Sequence, residues 1–148
     1  MPKLDLATIP AINVTGYPAP HGAAVAGRWY RRLGPAAGLT DFGASHVTLR
    51  PGAWSSQRHW HEDEDELVVM LSGEAVLVDD SGQTRLGADD VAAFPKGDGN
   101  GHCLRNDGDA DCVFLAIGQA ATRVCHYPDI DMHLPPSGQF VHKDGSVF

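Results

Sequence analysis

From Ser45 onward the chain reads as short apolar runs separated by turn residues, and no window sustains the 3.6-residue spacing of an amphipathic helix. Ser45 to Arg50 is a first strand, closed by Pro51-Gly52. Glu66 to Leu71 and Glu74 to Val78 flank a tight turn at Ser72-Gly73, and Asp79 to Gly82 reads as a hairpin turn. Val91 to Phe94 is a short run ended by Pro95; His102 to Asn106 is another candidate, followed by the polar turn Asp107 to Asp111. Cys112 to Ile117 is the most apolar strand. Upstream, Arg28 to Leu33 makes a short strand and Gly34 to Gly43 a loop. Short strands at this regular spacing predict an all-β sandwich or barrel. Residues 1–27 mix Pro, Gly and Ala without a period and read as an arm lying on the domain. Residues 28–125 form the barrel, and residues 126–148, with Pro128, Pro135, Pro136 and Gly138, an irregular tail.

Composition narrows the class. The chain has 148 residues, enough for one sizeable core. Its 17 Gly and 10 Pro favour strands and turns over helices. Nineteen acidic residues against 11 basic ones give a net charge of −8, which excludes the basic face that nucleic acid or anionic lipid requires. No apolar run is long enough to span a membrane. Three cysteines are too few for a disulfide framework, and Met1 to Val14 show no basic patch followed by an apolar run, so a reducing cytoplasm is the expected setting. Cys103, Cys112 and Cys125 are read as buried thiols, and His126, His133 and His142 as surface or interface residues of the tail.

The chemistry centres on His59-Trp60-His61. In a strand, residues i and i+2 share a face, so both imidazoles point the same way and Trp60 points away. Two imidazoles side by side make sense when they share a metal. Glu66 follows after four intervening residues, and His102 lies 41 residues beyond His61. Three nitrogens and one carboxylate oxygen suit Fe(II), Mn, Ni, Cu or Zn. Glu66 closes an acidic run whose first four members, Glu62 to Asp65, are read as solvated loop; Glu66 stands apart because it opens an apolar strand. Gly97 to Gly101 is no phosphate loop, because a strand follows, and Asp107 to Asp111 lacks the later positions of a calcium loop. Trp54 is placed either at the barrel mouth or in a loop.

The flanks of these residues resemble the cupin superfamily over roughly residues 45–118. Its first motif runs here through Gly52, His59, His61, Glu66 and Gly73, and its second through Pro95-Lys96-Gly97, His102 and Asn106. Two departures fall in loops. Six residues separate Gly52 from His59 where the family has five. In the second motif Asp89 stands where the family opens with glycine, and four residues instead of two separate Gly97 from His102. The resemblance implies a double-stranded β-helix, a small conical barrel whose metal ligands are His59, His61, Glu66 and His102.

A cation held by four protein ligands keeps one or two positions open. These suit a redox metal that activates dioxygen, or a Lewis acid serving an isomerase, epimerase, lyase or decarboxylase. Some single-domain cupins resembling this chain are called sugar-phosphate isomerases. A small oxygen-rich anion or sugar is the expected partner, with Arg58, Lys96 and Arg105 as anchoring cations. The competing class is a non-catalytic metal or small-ligand binding module; the chain has no room for the helix-turn-helix of a regulator. A homodimer buried through arm and tail is the expected assembly.

Overall fold

The computed structural model describes residues 3–148. Its strands alternate buried and exposed positions, and this period of two builds two walls facing across a core. The first wall is a five-stranded antiparallel sheet in the order β1 (Arg28–Arg32), β2 (Gly43–Leu49), β9 (Cys112–Gly118), β4 (Glu66–Ser72), β7 (Val91–Phe94). The opposite wall comprises two three-stranded sheets. One is β6 (Gly82–Leu86), β5 (Ala75–Asp79), β8 (Cys103–Arg105); the other is β11 (Met132–Leu134), β10 (Cys125–Tyr127), β3 (Trp60–His61). Two isolated bridges, Trp54 to Arg105 and His59 to His102, tie them into one surface. The all-β barrel expected from the sequence is therefore observed.

Inward parity decides what lies between the walls. Val47 and Leu49 of β2, Val68 and Met70 of β4, and Cys112 and Phe114 of β9 are buried, and Ala75 and Leu104 meet them from the other side. Glu66 shares parity with Val68 and Met70, so it too faces inward, one residue pair beyond the core. A second cluster, Cys125, Tyr127 and Met132, packs with Tyr17 of the arm and Phe140 of the tail. Tyr17 meets Tyr127 edge-on at 5.8 Å and Phe140 at 5.2 Å, so arm and tail close over one end of the barrel.

Four positions of the family motifs turn the chain through left-handed backbone. Gly52, Gly73 and Gly97 have φ of 81°, 72° and 71°. Asp89, standing where the family has glycine, takes φ 70° and is the one non-glycine residue with positive φ among those described. Its N–H donates to Met70 O at 3.0 Å, so the turn keeps its geometry without the glycine.

Differences from expectation have local causes. Gly34 to Gly43 contains a one-turn helix, α1 (Leu33–Ala37), ended by Gly38 at φ 71°. β6 has four exposed residues of five and so no hydrophobic pattern to read. The tail carries β10 and β11 before turning irregular; strands of three residues are too short to show a period.

Asn106 fastens the end of β8. It is fully buried, its amide donating to Leu49 O and Ala110 O at 2.8 Å each and accepting from Gly108 N at 3.0 Å. Asn106→Ala leaves all three partners unpaired and should cost about 3 kcal/mol. Urea unfolding checks this through a lower midpoint at unchanged slope.

Candidate metal centre

Three imidazoles converge on one carboxylate oxygen inside the barrel. Glu66 Oε2 lies 2.9 Å from His102 Nε2, 3.4 Å from His61 Nε2 and 3.6 Å from His59 Nε2. The residues come from separate elements. β4 supplies Glu66; β3 and its lead-in supply His59 and His61; the bridge opposite His59 sets His102 just ahead of β8. His59 and His61 face inward together as their alternation requires, with ring centroids 4.9 Å apart. Trp60, between them, faces outward and stacks on His126 at 4.3 Å with 14° between planes.

Each ring is held. His59 Nδ1 meets Gln57 O at 2.9 Å, an acceptor that places the proton on Nδ1 and leaves Nε2 as the free donor atom toward the centre. His102 is buried, with Phe94 stacked on it at 3.6 Å and 5°. His61 Nδ1 lies 3.2 Å from Glu64 Oε2, an ion-pair contact without hydrogen-bond alignment. The electrostatics follow. Burial alone would raise the Glu66 carboxyl, but the three histidines hold it well below the usual carboxylate range. Burial keeps His102 neutral, shifting it down. At His61 burial also favours the neutral ring, yet Cys125 and Glu66 outweigh it and push the imidazole up to about 10.

The donor set fits a metal ion. Donors about 2.1 Å from one cation stand roughly 3.0 Å apart at right angles and roughly 3.4 Å apart at the tetrahedral angle, and the observed separations of 2.9 to 3.6 Å span that range. His59, Glu66 and His102 form one compact donor group, and His59, His61 and Cys125 form an overlapping one, each within 4.8 Å.

Sequence reading missed two of these neighbours. Cys125 is a buried thiol as expected, but it pairs across from His61 on β10 and lines the centre. A three-residue strand 59 positions after its nearest motif residue of β4 leaves no signal for that. Glu64, read as solvated, is tucked in with its side chain 14% exposed, and burial pushes its carboxyl up to about 7. The rest of the acidic run is engaged as well. Glu62 meets His126 at 2.8 Å, Asp63 accepts from Thr122 N at 2.9 Å, and Asp65 accepts from Lys96 N at 2.9 Å.

A cavity of about 390 Å³ opens onto the centre, lined by His59, His61, Glu66 and His102. Arg58, Lys96 and Arg105 are not among its lining residues. Arg58 is held by Asp129 at 2.7 Å and by Asp80, and Arg105 by Asp107 at 2.8 Å, its guanidinium over Trp54 at 5.7 Å. For Arg58 and Arg105 the reason is alternation, since a residue beside the inward-facing His59 or Leu104 faces outward; Lys96 lies on the turn after β7. Arg28, which the sequence did not single out, is the arginine on the lining.

A family model described as Cupin domain matches residues 45–118. The chain belongs to the cupin superfamily. A crystal structure of a cupin-superfamily sugar phosphate isomerase from Silicibacter pomeroyi is 44% identical over 99% of this chain and 96% of its own, with a TM-score of 0.93. A candidate sugar phosphate isomerase from Acidithiobacillus ferrooxidans is 32% identical over 77% of this chain and 74% of its own, with a TM-score of 0.71. No curated protein matches. No helix among the described residues of this cupin is long and apolar enough to cross a membrane.

Glu64 is seated against Gly118. A Cβ there would stand 2.5 Å from Glu64 Oε1 and 3.4 Å from Glu66 Cγ. Its register partner Gly43 has only Gly118 O, at 3.4 Å. The Glu64 carboxylate is the far end of a flexible side chain and can swing aside, so Gly118→Ala should cost no more than about 1 kcal/mol, read by thermal melts against the parent.

Proposed function

We propose that this cupin is a metal-dependent enzyme of isomerase type, in which His59, His61, Glu66 and His102 hold one divalent first-row transition metal. The observation that carries the reading is the convergence of three Nε2 atoms on one Glu66 oxygen. Imidazole donors favour Fe, Mn, Ni, Zn or Cu over magnesium or calcium. When bound, the ion supplies a Lewis acid with open positions for two oxygens of a small-molecule substrate. The 44% identical relative named a sugar phosphate isomerase supports this class of reaction.

The chain's own residues prepare the site. Gln57 O fixes the His59 tautomer, and Phe94 fixes the His102 ring plane. Glu64 stands behind His61 as a positioning residue, where a carboxylate raises the basicity of a ligating imidazole. Leu104 and Phe114 set an apolar wall beside the centre, which would lower the screening felt by a bound substrate.

Purified protein should carry close to one transition metal ion per chain by elemental analysis. His61→Ala should lower its affinity at least about 100-fold, while Trp60→Ala, on the outward face, should leave the metal content intact. Equal metal content in His61→Ala and parent overturns the assignment.

Metal uptake should also depend on pH. His61 in the metal-free protein is pushed up to about 10, so it is protonated at neutral pH and must lose that proton to ligate. Zinc affinity should then rise with pH between 6 and 9, by up to roughly tenfold per unit. Competition with a chromophoric chelator at three pH values reads the slope; a flat response contradicts it.

A further inference from the structure

The lining of the cavity bears on what else the substrate carries. Beyond the four proposed ligands, its walls are Tyr30, Val47, Leu104, Phe114, Ala116 and Ile117, with more of the same character around them. Seven other lining residues bear a hydroxyl or guanidinium, and most of these groups are engaged. Arg28 donates to Ser55 O at 2.6 Å and to Val14 O at 3.5 Å, and its guanidinium lies 5.4 Å from the Tyr30 ring centroid. Ser55 Oγ accepts from Leu104 N at 2.9 Å and faces Ser56 Oγ at 3.4 Å. Tyr17 OH accepts from Gln57 N at 3.2 Å, and Tyr30 OH donates to Val14 O at 3.1 Å. Ser45 and Tyr127 carry the remaining hydroxyls.

A polyol phosphate buried here would leave most of its hydroxyls without partners. Each unpaired buried hydroxyl is costly, and a phosphate dianion usually draws more than one cation. Arg28 is the single lysine or arginine on the lining. From this we infer that the substrate is a predominantly apolar, ring-bearing molecule that presents two adjacent oxygens to the metal and carries at most one further polar group, met by Arg28. The inference rests on the metal-centre reading above and adds the substrate class to it.

Zinc-loaded protein tests it by calorimetry with three probes: acetylacetone, benzoylacetone and ribulose 5-phosphate. The two diketones offer the same oxygen pair and differ by a phenyl ring in place of a methyl. Benzoylacetone should bind roughly tenfold or more tighter than acetylacetone, because the ring enters the apolar cavity. Ribulose 5-phosphate should bind more weakly than either. Ala116→Leu, which fills that wall, should cut the benzoylacetone advantage at least about fivefold and leave zinc content unchanged. Equal affinity of the two diketones, or tighter binding of ribulose 5-phosphate, overturns the substrate class while the metal centre stands. Zinc retained with no binding of either diketone overturns the open-position reading itself, and with it this inference. Failure to retain zinc overturns the metal centre.

Discussion

An ionised glutamate facing into a β-barrel is the constraint around which this molecule is arranged. Its side chain is only 25% exposed, and the carboxylate's desolvation must be met by nearby donors. Three imidazoles meet it, His59 and His61 from β3 and its lead-in and His102 from the start of β8, with Gln57 O behind His59 and Phe94 stacked on His102. Removing any one leaves charge or lone pairs without compensation. The cluster thus constrains β4, the β3 lead-in and the start of β8 to one relative placement, and the bridge between His59 and His102 follows from it. The same arrangement sets imidazole and carboxylate donors where the proposed cation would bind.

The support around the cluster is as specific as the cluster. Glu64 backs His61, Gly118 leaves room for Glu64, and Asp63 and Asp65 fasten the turn to Thr122 and Lys96. An acidic run that composition alone would assign to solvent is thereby a frame of carboxylates holding one histidine in place. Electrostatics on the outside follow a separate logic. Arg58, next in sequence to His59, closes a bridge between Asp80 and Asp129 and ties the hairpin after β5 to the tail.

Most of the barrel and the four inward donors were legible in the sequence, because period-two burial and motif spacing are local signals. Val68, Met70 and Glu66 share parity, so the strand that builds the core also aims the carboxylate. The family's turns are legible too, even where Asp89 replaces a glycine, since the chain around it still demands left-handed backbone. What was not legible arises from pairing at long range. Cys125 reaches the centre only because β10 pairs with β3, and no pattern inside a three-residue strand announces that partner. The cations chosen from proximity in sequence failed to reach the cavity for a reason the sequence did contain. Arg58 and Arg105 neighbour the inward-facing His59 and Leu104 in extended chain and so face out, while Lys96 lies on a turn.

This separation divides the molecule's labour along the chain. The proposed ligands, together with the turns that set them, all fall within residues 45–118, the stretch shared with the family. The wall that a bound molecule would touch draws heavily on residues outside it: Tyr17 from the arm, Arg28 and Tyr30 from β1, and Tyr127 and Leu134 from the tail. Arm and tail pack on each other through Tyr17, Tyr127 and Phe140. They also touch the imidazole–carboxylate cluster: the Tyr127 ring lies 5.7 Å from that of His59, and Tyr17 OH accepts from Gln57 N at 3.2 Å. Likeness over the shared stretch therefore covers the donor cluster, while much of the cavity wall is drawn from the segments that flank it.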